Sequence, residues 1–578
     1  MTQIIRRHIQ TRPLICIVAL AWTICTNQVW GFQPPEKPAL SSASTRSTFD
    51  LTCVICHSNP QPITSNNPIG LSQARVYLGE ESDIATQDRR SDIHARAIHK
   101  VWQQDGHLTN EFRLILEKLK NQNAVGLNHS WASIDPEKIN DKDADPVFLK
   151  NCLTCHAGIQ ADSQKSPMAL GRPWEEFAVD RSAVSNGSIG CEACHGRGSE
   201  YLTKHLSPNW LTYSPLQKQA EGFRDLENSA VSAQVCLSCH LGSPSESKII
   251  THEMYAAGHP PLPPFDLAKF LNETCKKHWM DLSTKSASLT QAPVVPNDPR
   301  VEYLKKHFES PLDNPLEKLN SEIQGHFRKT QQSRVGQVMA SLMSQDLMLF
   351  NAESQNLHGD YGVYDCVGCH QTLYKQVRGS YSIPGRVPGR PLGLMWTRPA
   401  KSNLVTPVLD PLASFQQHLD DELNKTPFGS PADLQKVFSE FAQQRSSAKD
   451  QLIEFANKPL NQQQADAWLF EYLKERQGLM GNEWVAKQVF WTLENYFDDL
   501  ERITKNHPQS DSRNDIYKSR FAALAKTAPE ISLIVSCGPA KLPSDDEVDY
   551  ASFYCHLQQF VEELVTSEAR SASQTPAQ

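Results

Sequence analysis

Long apolar runs are scarce in this chain. Hydrophobic residues fill 39% of its 578 positions, and the mean hydropathy of −0.48 is low for so long a polypeptide. Beyond the first thirty-one residues, no stretch reaches the roughly 20 apolar residues that a membrane helix needs. A strong basic charge is missing as well. Lys and Arg number 57 against 65 Asp and Glu, a net charge of −8. Nucleic-acid binders carry a basic patch, so that partner class is disfavoured. Methionine is scarce, with nine residues. Those at 339 and 343 share helical spacing with Val335, Val338, Leu342 and Leu349, which reads as core rather than as a set of metal ligands.

Cysteine is abundant, and its placement is informative. Ten of the fifteen cysteines form five C-x-x-C pairs, each followed directly by histidine. The five are Cys53, Cys56, His57; Cys152, Cys155, His156; Cys191, Cys194, His195; Cys236, Cys239, His240; and Cys366, Cys369, His370. Two thiols three residues apart lie on one side of a helical turn and reach both vinyl groups of one porphyrin. The histidine that follows falls under the iron as proximal ligand. Zinc also takes C-x-x-C pairs but has no need of a histidine at that next position. Five repetitions therefore read as five covalently attached c-type haems. Porphyrins can fill a core that a chain of this hydropathy fills poorly. Of the other cysteines, Cys16 and Cys25 lie near the start and Cys275 stands alone. Cys537 and Cys555 read either as a disulfide or as two buried thiols.

Residues 1–31 read as a secretory signal. Arg6, Arg7 and Arg12 precede a short apolar segment, and Val29-Trp30-Gly31 suits cleavage; an uncleaved anchor is the alternative. A Pro- and Ser-rich linker follows over 32–48. Val301 to Ser354 has helical periodicity, as does Trp484 to Ile503. Ser430-Pro431 reads as a helix start, and Ser544-x-x-Glu547 as a capping box before a last helix. The tail over 568–578 is expected to be disordered. The final third carries no haem motif. It could act as a docking module for a membrane or a partner protein.

Twenty histidines are present. Five are proximal and His8 lies in the leader, so fourteen compete for at most five distal positions. The residues between Cys53 and His240 resemble the cytochrome c-554 family of multihaem cytochromes. The resemblance rests on four motifs in order, on His94-Ala95-Arg96-Ala97, on Gly190 to Gly196 with a Gly-rich turn and His205, and on Cys236 to Gly242. It covers about a third of the chain. It implies closely packed haems between which electrons hop, with His205 completing the haem of His57 and His94 that of His240. His259 or His252 would complete the haem of His195, and the His156 iron would be five-coordinate. From His252 onward the chain is similar to larger relatives with a fifth haem. It departs from the resemblance at Arg197, where the family has Pro, and at Trp102, which follows His94 instead of preceding the distal histidine. Gln371 stands where those larger relatives have a second histidine, leaving His358 and His326 as candidates at the fifth haem.

The expectation is a mainly α fold with much irregular chain. A tetrahaem domain would span 49–285, a helical segment with the fifth haem site 286–400, and a helical C-terminal domain 401–567. The function implied is a periplasmic electron carrier serving redox partner proteins. The alternative is a multihaem oxidoreductase that acts on a small nitrogen or sulfur compound at a five-coordinate iron.

Overall fold

A computed structural model describes residues 94, 97, 100, 101, 108–121, 125–126, 129–130, 152–160, 172–173, 189, 191–196, 198–201, 203–205, 208–272, 326–353, 360–369, 393–398, 409–425, 430–477, 479, 482–506, 512–526 and 550–574. The leader, the linker, the first motif, His370, His358, Cys275, Cys537, Ser544 and residues 575–578 lie outside them, so those expectations stay with the sequence. Thr45–Gln578 form one compact unit. Its described residues are mainly helical. Two minimal strand pairs accompany the helices, β1 (Val125–Gly126) antiparallel to β2 (His129–Ser130) and β3 (Ile159–Gln160) parallel to β4 (Arg172–Pro173).

The helices begin where local chemistry starts them. In chain order they include α1 (Asn110–Asn121), α2 (Cys191–His195), α3 (Gly198–Tyr201), α4 (Pro215–Ala220), α5 (Ser229–His240), α6 (His252–Ala257) and α7 (Leu267–Asn272). Ser214 and Gln217 form a capping box before α4. The Asn228 side chain accepts from the backbone of Ala230 and Val231 at the start of α5, satisfying N–H groups that have no partner within the helix. The long α8 (Arg328–Glu353) precedes α9 (Cys366–Cys369), and α10 (Leu409–Lys425) to α16 (Tyr550–Gln574) complete the chain. Between them lie α11 (Pro431–Glu440), α12 (Ala442–Phe455), α13 (Gln462–Arg476), α14 (Glu483–Asn506) and α15 (Ser512–Ala525). Pro431 opens α11 as expected, although the Ser430 hydroxyl makes no capping bond.

The periodicity of α8 suggested one apolar face, yet the helix is enclosed on nearly all sides. It packs on α5, α7, α11, α12 and α14, and Thr330, Gln331, Ser333, Arg334, Gln337, Ser341 and Gln345 are as buried as its aliphatic residues. Buried polar groups are tolerated only when hydrogen-bonded, and here they bond across helices. Asp266 is the hub. It accepts from Ser333 Oγ at 2.5 Å, from Gln488 Nε2 at 3.1 Å and from Asn495 Nδ2 at 2.9 Å. Thr330 bonds the Asp499 carboxylate through backbone and hydroxyl, and Lys269 pairs with Glu494 at 2.8 Å. Met339, Met343 and Met348 lie in the apolar core.

That core runs without a break from Ala230 to Leu564, through residues on both sides of positions 285 and 400. Phe490, Phe497, Phe521, Phe553 and Phe560 stack within it. Asn228 Nδ2 donates to the Ile453 carbonyl at 2.7 Å, which joins α5 to α12. Cys555 is exposed and forms no disulfide. No described helix is long and apolar enough to cross a membrane.

Candidate haem-iron sites

The fourth motif ends α5, and its histidine meets a partner from far upstream. The rings of His94 and His240 stand with centroids 6.3 Å apart and planes at 88°. Two imidazoles on opposite sides of one metal, each bonded at about 2 Å with the nitrogen roughly 1 Å from its ring centre, would have centroids about 6 Å apart. The spacing therefore fits an iron held between the two rings. Phe265 and Phe270 pack on His240, with centroids at 5.9 and 5.1 Å. Burial, with His94 nearby, pushes the His240 pKa down to about 4. The ring is thus neutral at pH 7 and offers a nitrogen lone pair, the form a metal requires.

The second motif is a helical turn over 152–156. His156 Nδ1 donates to the Ala97 carbonyl across a long 3.4 Å, so Nε2 is the nitrogen left for a metal. His259 is held the same way, Nδ1 donating to the Pro260 carbonyl at 2.8 Å. His259 lies close enough to His156 for its charge to act on that ring. Burial lowers the pKa of His156, and the charges of His259 and Lys100 lower it further. The scaffold explains the approach. Thr109 Oγ1 donates to the Lys100 carbonyl at 2.9 Å and accepts from the Phe112 backbone, tying residue 100 to α1. α1 in turn packs against α6, just before His259. The resemblance had offered His259 to the His195 iron and left the His156 iron open; in the fold, His259 stands near His156.

His195 ends α2. Its ring stacks with that of Phe223 at 6.0 Å, and its carbonyl accepts from the Arg224 backbone at 3.0 Å. Gly196 has φ +85°, and a Cβ there would run into the Gly222 carbonyl, so glycine is required after this histidine. His205 lies half-buried in the turn after α3, edge-on to Tyr201 at 5.9 Å and to Trp210 at 6.5 Å. His57, which the resemblance pairs with it, lies outside the described residues. His252 opens α6, its backbone N–H bonded to Asp360 at 2.9 Å and its ring 6.1 Å from Tyr361. It therefore stands beside the approach to the fifth motif. His326 precedes α8, whereas Leu347, toward the far end of that helix, shares a pocket with Cys366. At about 1.5 Å of rise per residue, roughly 30 Å of helix separates His326 from the fifth motif.

Three motifs converge. A Cβ on Gly158, two residues past His156, would come within 3.0 Å of the Ala193 side chain in the third motif. The thiols of Cys155 and Cys239 share a hydrogen bond, which raises the pKa of Cys155 and lowers that of Cys239. Burial alone pushes the Cys152 thiol up to about 12. A chain of buried charges links the sites. Arg224 donates to the Ala193 carbonyl at 3.4 Å and pairs with Glu246 at 3.7 Å. Glu246 pairs with Lys248 at 2.6 Å, and Lys248 Nζ donates to Ser238 Oγ, inside the fourth motif, at 2.8 Å. Sequence reasoning missed Arg224, Glu246 and Lys248, because nothing in their spacing marks them. It also missed Phe265 and Phe270, whose position just after a proline run was the only available signal.

Of Cys191 the structure describes the backbone alone. Cys366 is half-buried and Cys369 exposed. Among the described residues, no three His, Cys, Asp or Glu side chains converge as a metal-holding group; an axial pair on one haem iron requires only two. No family model, curated protein or solved structure matches the chain.

Proposed function

We propose that the chain is an exported, periplasmic pentahaem c-type cytochrome that carries electrons between redox partner proteins, as its resemblance to the cytochrome c-554 family implies. The observation that carries this reading is the ring pair of His94 and His240, set 6.3 Å apart across 146 positions of sequence. Haem c at each motif supplies a one-electron iron couple. The chain's own residues do the rest. Backbone carbonyls of Ala97 and Pro260 fix the tautomers of His156 and His259. Phe265 and Phe270 shield the His240 ring. Histidine on both sides of an iron holds its potential low, where methionine on one side would raise it. The close approach of the second, third and fourth motifs supports transfer between neighbouring sites.

The rival is an oxidoreductase acting on a small nitrogen or sulfur compound at an iron open on one side. Its expected place was the His156 iron. His259 stands near that site with its Nε2 available, which favours the carrier. The intact protein should exceed its processed polypeptide mass by five haem masses. In the reduced protein, carbon monoxide should stay off the haems of His156 and His240, whereas His94→Ala should open the His240 haem to it. Carbon monoxide binding at the His156 haem of the unaltered protein would turn the conclusion to the oxidoreductase. Fewer than five haems would show that one or more motifs are not used.

A further inference from the structure

The fourth motif has a buried cation bonded to it. Lys248 is 2% exposed. Its Nζ donates to Ser238 Oγ, between Cys236 and Cys239, at 2.8 Å and pairs with Glu246 at 2.6 Å. Backbone bonds alone close the turn that carries it, since Ser243 and Lys248 exchange N–H···O bonds at 2.8 and 3.0 Å. The turn therefore does not need the ammonium to hold its shape. Ser247, between the two charges, has φ +55°, the one positive value at a non-glycine among the described residues. A residue with a Cβ adopts that conformation at a cost, and such strain gathers at functional sites. A charge enclosed in this way is destabilising unless an opposite charge faces it. Glu246 does so, but the same carboxylate also pairs with the buried Arg224 at 3.7 Å. At the motif the ammonium prevails. The Cys155 hydrogen bond is first in lowering the Cys239 pKa and burial opposes it; the Lys248 charge then lowers it by more than the Glu246 charge raises it.

We propose that the Lys248 ammonium raises the potential of the haem tethered at Cys236 and Cys239, above the value that histidine on both sides of its iron would set. The assignment rests on the five-haem reading above. Axial histidines give a low baseline. Reduction lowers the charge on the iron by one, so a fixed cation nearby favours the ferrous form. Burial makes that influence larger, because an enclosed charge is screened far less than one in water. Lys248 touches neither axial histidine in this account. It acts through its charge, held against the residue between the two tethering cysteines.

Variants of the full-length, haem-loaded protein test this by redox titration. The His240 haem is identified as the one whose midpoint His94→Ala displaces. Lys248→Met removes the charge and keeps a long side chain. That midpoint should then fall by about 59 mV, a roughly tenfold shift in the ferric-to-ferrous ratio. Such a shift is the size expected of unit charges on the order of 10 Å apart at an effective dielectric of about 20. Lys248→Arg keeps the cation and should keep most of the original midpoint. If Lys248→Met does not load haem, Glu246→Gln decides: it removes the anion, retains Lys248 and Arg224, and should move the midpoint upward. The proposal falls if Lys248→Met leaves the midpoint in place, or if Lys248→Arg lowers it as far as Lys248→Met does, as a packing role would. It falls equally if Glu246→Gln fails to raise it. Unmodified Cys236 and Cys239 in the unaltered protein would overturn the haem reading itself, and this assignment with it.

Discussion

The described residues before 229 and those from 409 onward solve the core problem in opposite ways. In the C-terminal helices, phenylalanines pack ring on ring, and their core is continuous with that around α8. Upstream, Val101, Leu108, Phe112, Leu116, Leu119, Leu153 and Trp210 are buried, yet none belongs to that continuous core. The same part of the chain holds the second and third motifs and the buried Arg224. The first kind of region can stabilise itself by burying apolar area at about 25 cal/mol per Å². The second, among its described residues, adds nothing buried to that core; on the proposed reading, porphyrins would fill it.

The largest test of this contrast is to withhold haem. Protein made where haem cannot be attached should lose its protease resistance before about residue 229 and keep a resistant fragment containing α8 and α10–α16. Mass analysis of a limited digest reads this directly. Equal protection of both regions would erase the contrast.

Next in size is Asp266→Ala. It strips the acceptor from Ser333, Gln488 and Asn495 at once and should destabilise the helical region by roughly 3–5 kcal/mol in a denaturant titration. The same residue carries a pH signature. Burial raises the Asp266 pKa, so the folded state holds its proton at pH values where an unfolded carboxyl, with a pKa of about 3.9, has released it. Unfolding then releases protons, and stability falls as pH rises above about 4. Asp266→Asn should flatten that part of the pH profile; an unchanged profile would remove Asp266 as its source.

A smaller effect is expected of Gly196→Ala. The left-handed φ and the Gly222 carbonyl leave no room for a methyl group, at a cost of about 1–3 kcal/mol. The loss should fall before residue 229 and, on the five-haem reading, change the spectrum of one haem, with the melting of the C-terminal helices unaltered. Least of all should come from Lys204→Ala, which removes an exposed ion pair with Glu221. Less than about 1 kcal/mol is expected in the same thermal melt, and a larger loss would show the turn carrying His205 to be more tightly bound than its exposure suggests.

Much of this plan was legible because it is local. Attachment of one porphyrin needs two thiols within a single turn and a histidine next to them, and adjacency of that kind is written along the chain. Helix starts such as Pro431 and the span of α14 follow from propensity and period within a few residues. The stripe on α8 was legible too, but its enclosure was not. A helix surrounded by five others needs polar side chains that bond outward, and those look like a solvated face when read alone. Asp266 could not be found for the same reason, since its partners lie 67, 222 and 229 positions away.

By itself, then, the sequence determined where the C-x-x-C-H motifs that would tether haem lie and which segments would coil, because both depend on neighbours within about four residues. The resemblance had already set His94 at the His240 site; only the tertiary structure puts the two rings 6.3 Å apart and brings His259 toward His156, through the packing of α1 on α6. Such pairings depend on how helices stack rather than on any spacing along the chain.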